Sequence, residues 1–359
     1  MFKPMPALIT ASLPSLLLTL GVLGSSAHAE FENNSYSYLG LGTETLTYSE
    51  TTDDFGGQTF ESKFRGSNLV QKSGGYTGVG ERYGFFISTS STLLANENKE
   101  KWKFEGVGVV QEDNMTLKRT AIDLLGVFHF QNGHFLTAGT HYNSVSFSRF
   151  DFDGTDLTED LNDSLIANPD VQAQVQAELD LRLNAVNAAR ASGGSDCIRG
   201  TLDDSSCLGS FDGSNNQVVT LDEFWEIKKL KPEDTQGVVF EDMTSWSLIA
   251  GWGYDSFFVD QSLGMRYSMA ARVGTAMYES ILNTNNDRSL TRSFGGDWDV
   301  HLLAGVGYQF RKEIGVIATL ELNGVFRQEI RENDNGQQII LPENTLWALS
   351  PQISAHWAF

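Results

Sequence analysis

The chain ends in the stretch Trp347-Ala348-Leu349-Ser350-Pro351-Gln352-Ile353-Ser354-Ala355-His356-Trp357-Ala358-Phe359. Trp347, Leu349, Ile353, Ala355, Trp357 and Phe359 share one parity, while Ser350, Gln352, Ser354 and His356 share the other. Successive side chains of a strand point to opposite faces, so this segment reads as a strand with one apolar and one polar face. It is long enough to cross a bilayer at a tilt, for which about 9–11 residues suffice.

The same alternation recurs upstream. Ile314 to Phe326 sets Ile314, Val316, Ala318, Leu320, Leu322 and Phe326 against Thr319, Glu321, Asn323 and Arg327, with Ile317 and Val325 as apolar exceptions. Trp298 to Phe310, Leu263 to Met277, Trp246 to Tyr254 and Ile122 to Phe130 repeat the pattern. Weaker strands fall at Ser35 to Tyr48, Phe60 to Gln71, Tyr76 to Leu94 and Phe135 to Phe150. In the last of these the apolar parity switches between Tyr142 and Val145, which a bulge would explain.

Connections alternate in length. Short ones follow Gln71 (Lys72-Ser73-Gly74), Phe130 (Gln131-Asn132-Gly133), Tyr254 and Phe310. Long polar ones fall near 49–58, 96–115, 151–242, 283–296 and 331–344. This predicts an all-β fold: an antiparallel transmembrane β-barrel of ten strands with five outer loops. The count becomes twelve if Trp102–Val110 or Val218–Ile227 also pairs.

Composition agrees. The 359 residues carry 35 Gly and 23 Phe but only 7 Pro, and the net charge of −21 argues against nucleic acid as a partner. At the other end, Lys3, the apolar run Leu13 to Leu23 and Ala27-His28-Ala29 read as a cleaved export signal over 1–29. The barrel then spans 30–359. An exported chain ending in an aromatic-terminated amphipathic strand resembles a Gram-negative outer-membrane β-barrel protein. The resemblance implies that Phe359 is part of the signal read by the barrel-assembly machinery. It also implies contact with membrane lipid and lipopolysaccharide. A weaker similarity is to solitary autotransporter-type or porin-like barrels.

Residues 151–242 break the rhythm as an inserted acidic outer loop. They hold 20 Asp and Glu against 6 Lys and Arg, two-thirds of the net charge. A helix is predicted here, with Asn168 as N-cap, Pro169 in its first turn and an apolar stripe of Val171, Val175, Leu179, Leu183 and Val186. The stripe packs on the loop or barrel rim, or binds a partner. Cys197 and Cys207 are close enough for a local disulfide in an oxidising compartment, two free thiols being the alternative. The run Asp212 to Glu223 resembles an EF-hand calcium loop. Its ligands would be Asp212, Ser214, Asn216, Val218 (through its carbonyl), Thr220 and Glu223. Gln217 departs from that pattern, which has Gly there for a sharp turn.

Parity places Asp123, His129, Arg266, Arg272, Asp299, His301, Glu321 and Arg327 inside the barrel. They form either a salt-bridged filling or the wall of a narrow porin-like channel for small solutes. Asp299 and His301, two apart, also resemble the Asp–His pair of the ten-stranded outer-membrane proteases, the omptins. That resemblance requires an acidic pair across the cleft, for which Glu112-Asp113 is the candidate, without the omptin spacing. The primary expectation is a non-enzymatic surface barrel whose acidic loop binds calcium or a partner.

Overall fold

The computed structural model describes residues 35–55, 58–191, 221–232, 238–259, 263–283, 288–294, 296–334 and 337–359. The export segment 1–29, Cys197, Cys207 and the calcium-loop residues Asp212, Ser214, Asn216, Val218 and Thr220 lie outside the described residues. The strands are β1 (Tyr36–Phe55), β2 (Gln58–Val79), β3 (Tyr83–Leu94), β4 (Glu97–Phe104), β5 (Gly108–His129), β6 (His134–Gly154), β7 (Val239–Asp255), β8 (Gly264–Asn283), β9 (Arg288–Ser293), β10 (Trp298–Arg311), β11 (Ile314–Arg327), β12 (Ile330–Asp334), β13 (Gln337–Leu341) and β14 (Glu343–Ala358). Between β6 and β7 come the helices α1 (Thr158–Ala167), α2 (Pro169–Ala191) and α3 (Leu221–Lys228).

Ten strands close an antiparallel ring: β1, β2, β3, β5, β6, β7, β8, β10, β11, β14 and back to β1. The seam between β1 and β14 runs from Tyr36 opposite Ala358 to Thr51 opposite Glu343. Beyond it the Phe359 amide donates to the Ser35 carbonyl at 3.0 Å. The remaining strands add no stave. β4 continues β3 upward between β2 and β5, β9 lies above β10 against β8, and β12 and β13 pair as a hairpin above β11 and β14. Trp102–Val110 therefore lengthens existing staves, and the described part of the Val218–Ile227 segment, from Leu221 on, lies in helix α3 instead of a strand.

Several predicted boundaries move. Lys72-Ser73-Gly74 is not a turn but the middle of β2, and the chain reverses at residues 80–82. The described residues of the outer segments 49–58, 96–115, 283–296 and 331–344 are largely strand. Above the bilayer neither strand face meets lipid, so the alternation that marks a strand within the membrane is lost. No bulge interrupts β6 between Tyr142 and Val145, where its register to β5 and β7 is continuous.

The parity switch has a different cause. His141, Asn143, Val145, Phe147 and Arg149 all face inward and are buried. Outside, Leu136 lies in the lipid belt while Ser146 and Ser148 stand above it. The strand keeps its orientation and the environments exchange. Within the bilayer the apolar face points out; above it the apolar face points in. Val325, an apolar exception in β11, has the same origin, being 3 % exposed inside the barrel.

Two aromatic girdles mark the belt. The upper contains Tyr142 against Trp246 at 5.1 Å, Phe326 against Trp347 at 5.3 Å, and Trp298. The lower contains Tyr83, Phe128 and Phe130, with Trp252, Tyr308, Phe310 and Trp357 around the rim. Along β10 the girdles are separated by the run from Trp298 to Tyr308. At about 3.3 Å per residue and a tilt of roughly 40°, that spans about 25 Å, the height of an outer-membrane apolar band.

The lumen is filled in layers. At the base the turn Ser256–Phe258 folds inward, and Phe257 and Phe258 pack with Tyr36, Tyr76 and Phe135. The Asp255 carboxylate accepts from Arg266 Nε at 2.9 Å behind them. A polar layer follows at membrane depth. Above it Leu46, Tyr48, Phe64, Met115, Leu117, Val145, Phe147, Met243, Ile281, Val325, Leu346 and Ala348 form a buried apolar plug. Over the plug, Arg149 stacks on Phe147 and Trp102 and pairs with Glu50 and Glu100.

The insertion caps one side of the mouth. Leu161 of α1 packs with Phe104 and Val110. The Asn162 amide donates to the Leu230 carbonyl at 3.0 Å and accepts from the Leu230 amide at 2.8 Å, tying the chain after α3 back to α1. Asn168 Oδ1 accepts from the Asp170 amide at 2.9 Å, so it caps α2 as its sequence suggested. Leu179 of the α2 stripe and Phe224 of α3 are buried, and α2 packs on both neighbouring helices. The side chains of Leu183 and Val186 lie outside the described set. Helix α1 was not expected, since its ten residues are mostly polar.

Phe147 is 1 % exposed and lies 5.5 Å from Tyr48. Phe147→Ala is expected to cost about 3–5 kcal/mol in reversible urea unfolding from detergent micelles. Lys63→Ala, on the water-facing outer wall, should change stability by less than about 0.5 kcal/mol. Asp113, beside Trp102 above the plug, is pushed up to about 8 by burial and then by Glu100. Unfolded, such a carboxyl titrates near 4 (~3.9). The folded state thus holds an extra proton between these values, and stability from this group falls as pH rises from about 4 to about 8. Protection factors in β4, taken relative to the intrinsic exchange rate at each pH, should therefore be larger at pH 5 than at pH 8, and Asp113→Asn should flatten the difference.

Candidate functional site: the polar layer of the lumen

Nine strands supply the polar layer, and inward parity selects its members. They are Glu44 (β1), Lys72 (β2), Arg119 and Asp123 (β5), His141 and Asn143 (β6), Arg272 (β8), His301 (β10), Glu321 and Asn323 (β11), Gln352 (β14) and Ser88 (β3). On β1, Gly40 and Gly42 face the same interior; a Cβ on Gly42 would come within 2.5 Å of Gln352 Cγ. Side chains from the opposite wall can therefore reach across.

The cations in this layer meet carboxylates from distant strands. Arg119 Nη1 donates to Glu44 Oε1 at 2.9 Å, and its Nε donates to Asn143 Oδ1 at 3.0 Å. Ser350 Oγ also donates to Glu44, at 3.1 Å. Lys72 pairs with Glu321. Arg272 Nη1 donates to Asp123 Oδ2 at 3.2 Å, while Asp123 Oδ1 lies 2.7 Å from His141 Nδ1. His301 Nδ1 lies 2.8 Å from Asn323 Oδ1, and the rings of His141 and His301 are 4.4 Å apart. These groups surround a cavity of about 40 Å³, large enough for a few waters.

All eight residues assigned to the interior by parity do face it, and they divide among layers. Asp123, Arg272, His301 and Glu321 line the cavity of the polar layer, while Asp299 is buried two residues before His301 on β10, opposite Val325 of the plug. His129 and Arg266 belong to the floor, where the His129 ring lies 4.4 Å from Phe258 and Arg266 covers Tyr36. Arg327 stands above, 2.5 Å from Glu279.

The protease-like constellation is not assembled. His301 takes Asn323, not Asp299, as its Nδ1 partner. Glu112 is on the outer wall, bonded by Lys99 at 2.7 Å and Lys101 at 3.2 Å. Its neighbour Asp113 points inward and accepts from Trp102 Nε1 at 2.7 Å. Among the described residues, no three His, Cys, Asp or Glu side chains converge as a metal site.

Sequence reasoning missed Lys72, Glu44, Asn143 and His141. Lys72 was hidden in a supposed turn, and His141 in a strand whose parity looked broken. The available signal for His141 was its alignment with Phe135, Thr137 and Gly139 on one face.

No protein-family model matches the chain, and no curated protein matches it in sequence. Solved structures match in fold. The chain is similar to the outer membrane protease OmpT from Escherichia coli, at 9% identity and a TM-score of 0.51, covering 93% of this chain and 99% of that one. The translocator domain of the autotransporter NalP from Neisseria meningitidis also aligns, at 9% identity and a TM-score of 0.32, over 92% of this chain and 90% of that one. So does the transport unit of the autotransporter AIDA-I from Escherichia coli, at 8% identity and a TM-score of 0.32, over 94% of each chain. The fold is that of a Gram-negative outer-membrane β-barrel.

Proposed function

We propose that this protein is a closed, non-enzymatic outer-membrane barrel that holds an acidic segment at the cell surface. The filled lumen carries the reading. An aromatic floor, an ion-paired layer and an apolar plug follow one another along the axis, and each is built from side chains of many strands. A solute path needs a continuous wetted lumen, and a buried apolar layer opposes one. In this reading Asp299 and His301 pack the interior. Export with removal of residues 1–29, embedding in lipid and lipopolysaccharide, and recognition of Phe359 by the barrel-assembly machinery belong to the same proposal. Planar-bilayer recording tests it: the purified protein should insert without stable conductance steps. Reproducible ohmic steps would overturn it in favour of a narrow porin-like channel.

The acidic segment retains calcium as its proposed ligand. Helix α3 begins at Leu221, so the carboxyl end of the run Asp212 to Glu223 enters a helix, as a calcium loop flanked by helices requires. Calorimetric titration with CaCl₂ should give one binding event, lost in Asp212→Ala. Equal heats from both proteins would remove the calcium assignment while leaving the closed barrel intact.

A further inference from the structure

We propose that His141 and His301 form a two-imidazole site for a first-row transition cation of the copper–zinc group, inside the barrel at membrane depth. The proposal does not depend on the acidic loop or its calcium.

The two rings are held in the same way. Each Nδ1 faces an oxygen acceptor, Asp123 at 2.7 Å for His141 and Asn323 at 2.8 Å for His301. Oxygen acceptors place the ring proton on Nδ1, which leaves a lone pair on each Nε2. Both Nε2 atoms are buried and have no partner among the described residues. His141 is 1 % exposed and His301 7 %. An imidazole with its rear nitrogen bonded to a carboxylate or amide oxygen and its front nitrogen bare is the arrangement of a metal-ligating histidine.

Spacing agrees. The ring centres are 4.4 Å apart and the planes meet at 71°. With a metal–nitrogen bond of about 2.0 Å, two imidazoles in adjacent coordination positions hold their centres roughly 4.5 Å apart. The two rings line the same cavity of about 40 Å³, which gives water the remaining positions. Among the described residues no third His, Cys, Asp or Glu side chain joins them, so these supply two ligands.

Charge permits a cation here. Each positive group lining the cavity is already paired: Arg272 with Asp123, Lys72 with Glu321, Arg119 with Glu44. Asp299, two residues along β10 from His301 and 2 % exposed, has no ion pair among the described residues. The plug above and the floor below enclose the site, so the ion enters as the barrel forms.

Copper(II) binds nitrogen donors most tightly of the first-row divalent ions and is the probe of choice. The full mature chain is refolded into detergent micelles with one equivalent of Cu²⁺, desalted, and measured by electron spin-echo spectroscopy. Retention of one copper with two coordinated imidazoles is expected. His141→Ala and His301→Ala should each reduce retention on the order of 100-fold, Asp123→Asn should weaken it about 10–100-fold, and His134→Ala should leave it unchanged. Should the alanine variants fail to refold, ¹⁵N-histidine spectra of the unaltered protein with Zn²⁺ replace them, and two Nε2 resonances should shift together. Copper bound through one imidazole or none, retention unaffected in both variants, or zinc shifts at other histidines would each overturn the site.

Discussion

In hydrocarbon every backbone N–H and C=O must find a partner within the protein, and a sheet satisfies this only by leaving no edge. The seam between β1 and β14 is where that condition is met. It runs nearly the full length of both strands, and the Phe359 amide and Ser35 carbonyl extend it by one further bond. Everything else about the molecule is a consequence of closing ten strands there. A ring this narrow has an interior its own side chains can fill, so half of every strand must be given to packing the inside.

The polar layer shows the cost of that arrangement and how it is offset. Charges such as Arg119 and Glu44 sit 3 % and 2 % exposed at a depth where unpaired ions are unfavourable. Their partners come from strands 75 residues apart in the chain. Such pairs add little net stability compared with apolar packing, but removing one partner strands the other. They therefore specify register and strand order more than they strengthen the barrel. The strength lies one layer higher, where the plug buries Phe147, Tyr48 and Phe64 as the core of a water-soluble protein would.

How much of this a sequence reveals depends on what surrounds each strand. β10, β11 and β14 were legible because their outer faces meet lipid and carry Trp298, Leu320 and Ile353, against polar inner faces. β2 was not, because its outward run at membrane depth is Gln71, Ser73, Gly75 and Thr77. Lys72-Ser73-Gly74 consequently looked like a turn. The upper halves of the staves failed for the opposite reason, their apolar residues being inside. Within the site, Asp123 and His301 could be assigned to the lumen by parity alone. That Asp123 bridges His141 and Arg272 could not, since the bridge joins residues 149 apart.

The aromatic floor makes closure and sealing a single event. Tyr36 is 4.8 Å from His356, and Phe257 is 5.3 Å from the same ring. β1, the inward turn after β7 and β14 must all be present before these rings touch. A chain with its first and last strands unjoined has no base to its cup, and water reaches the buried ion pairs from below. The step that removes the last open edge is thus also the step that completes the floor, so the sheet and its base close together.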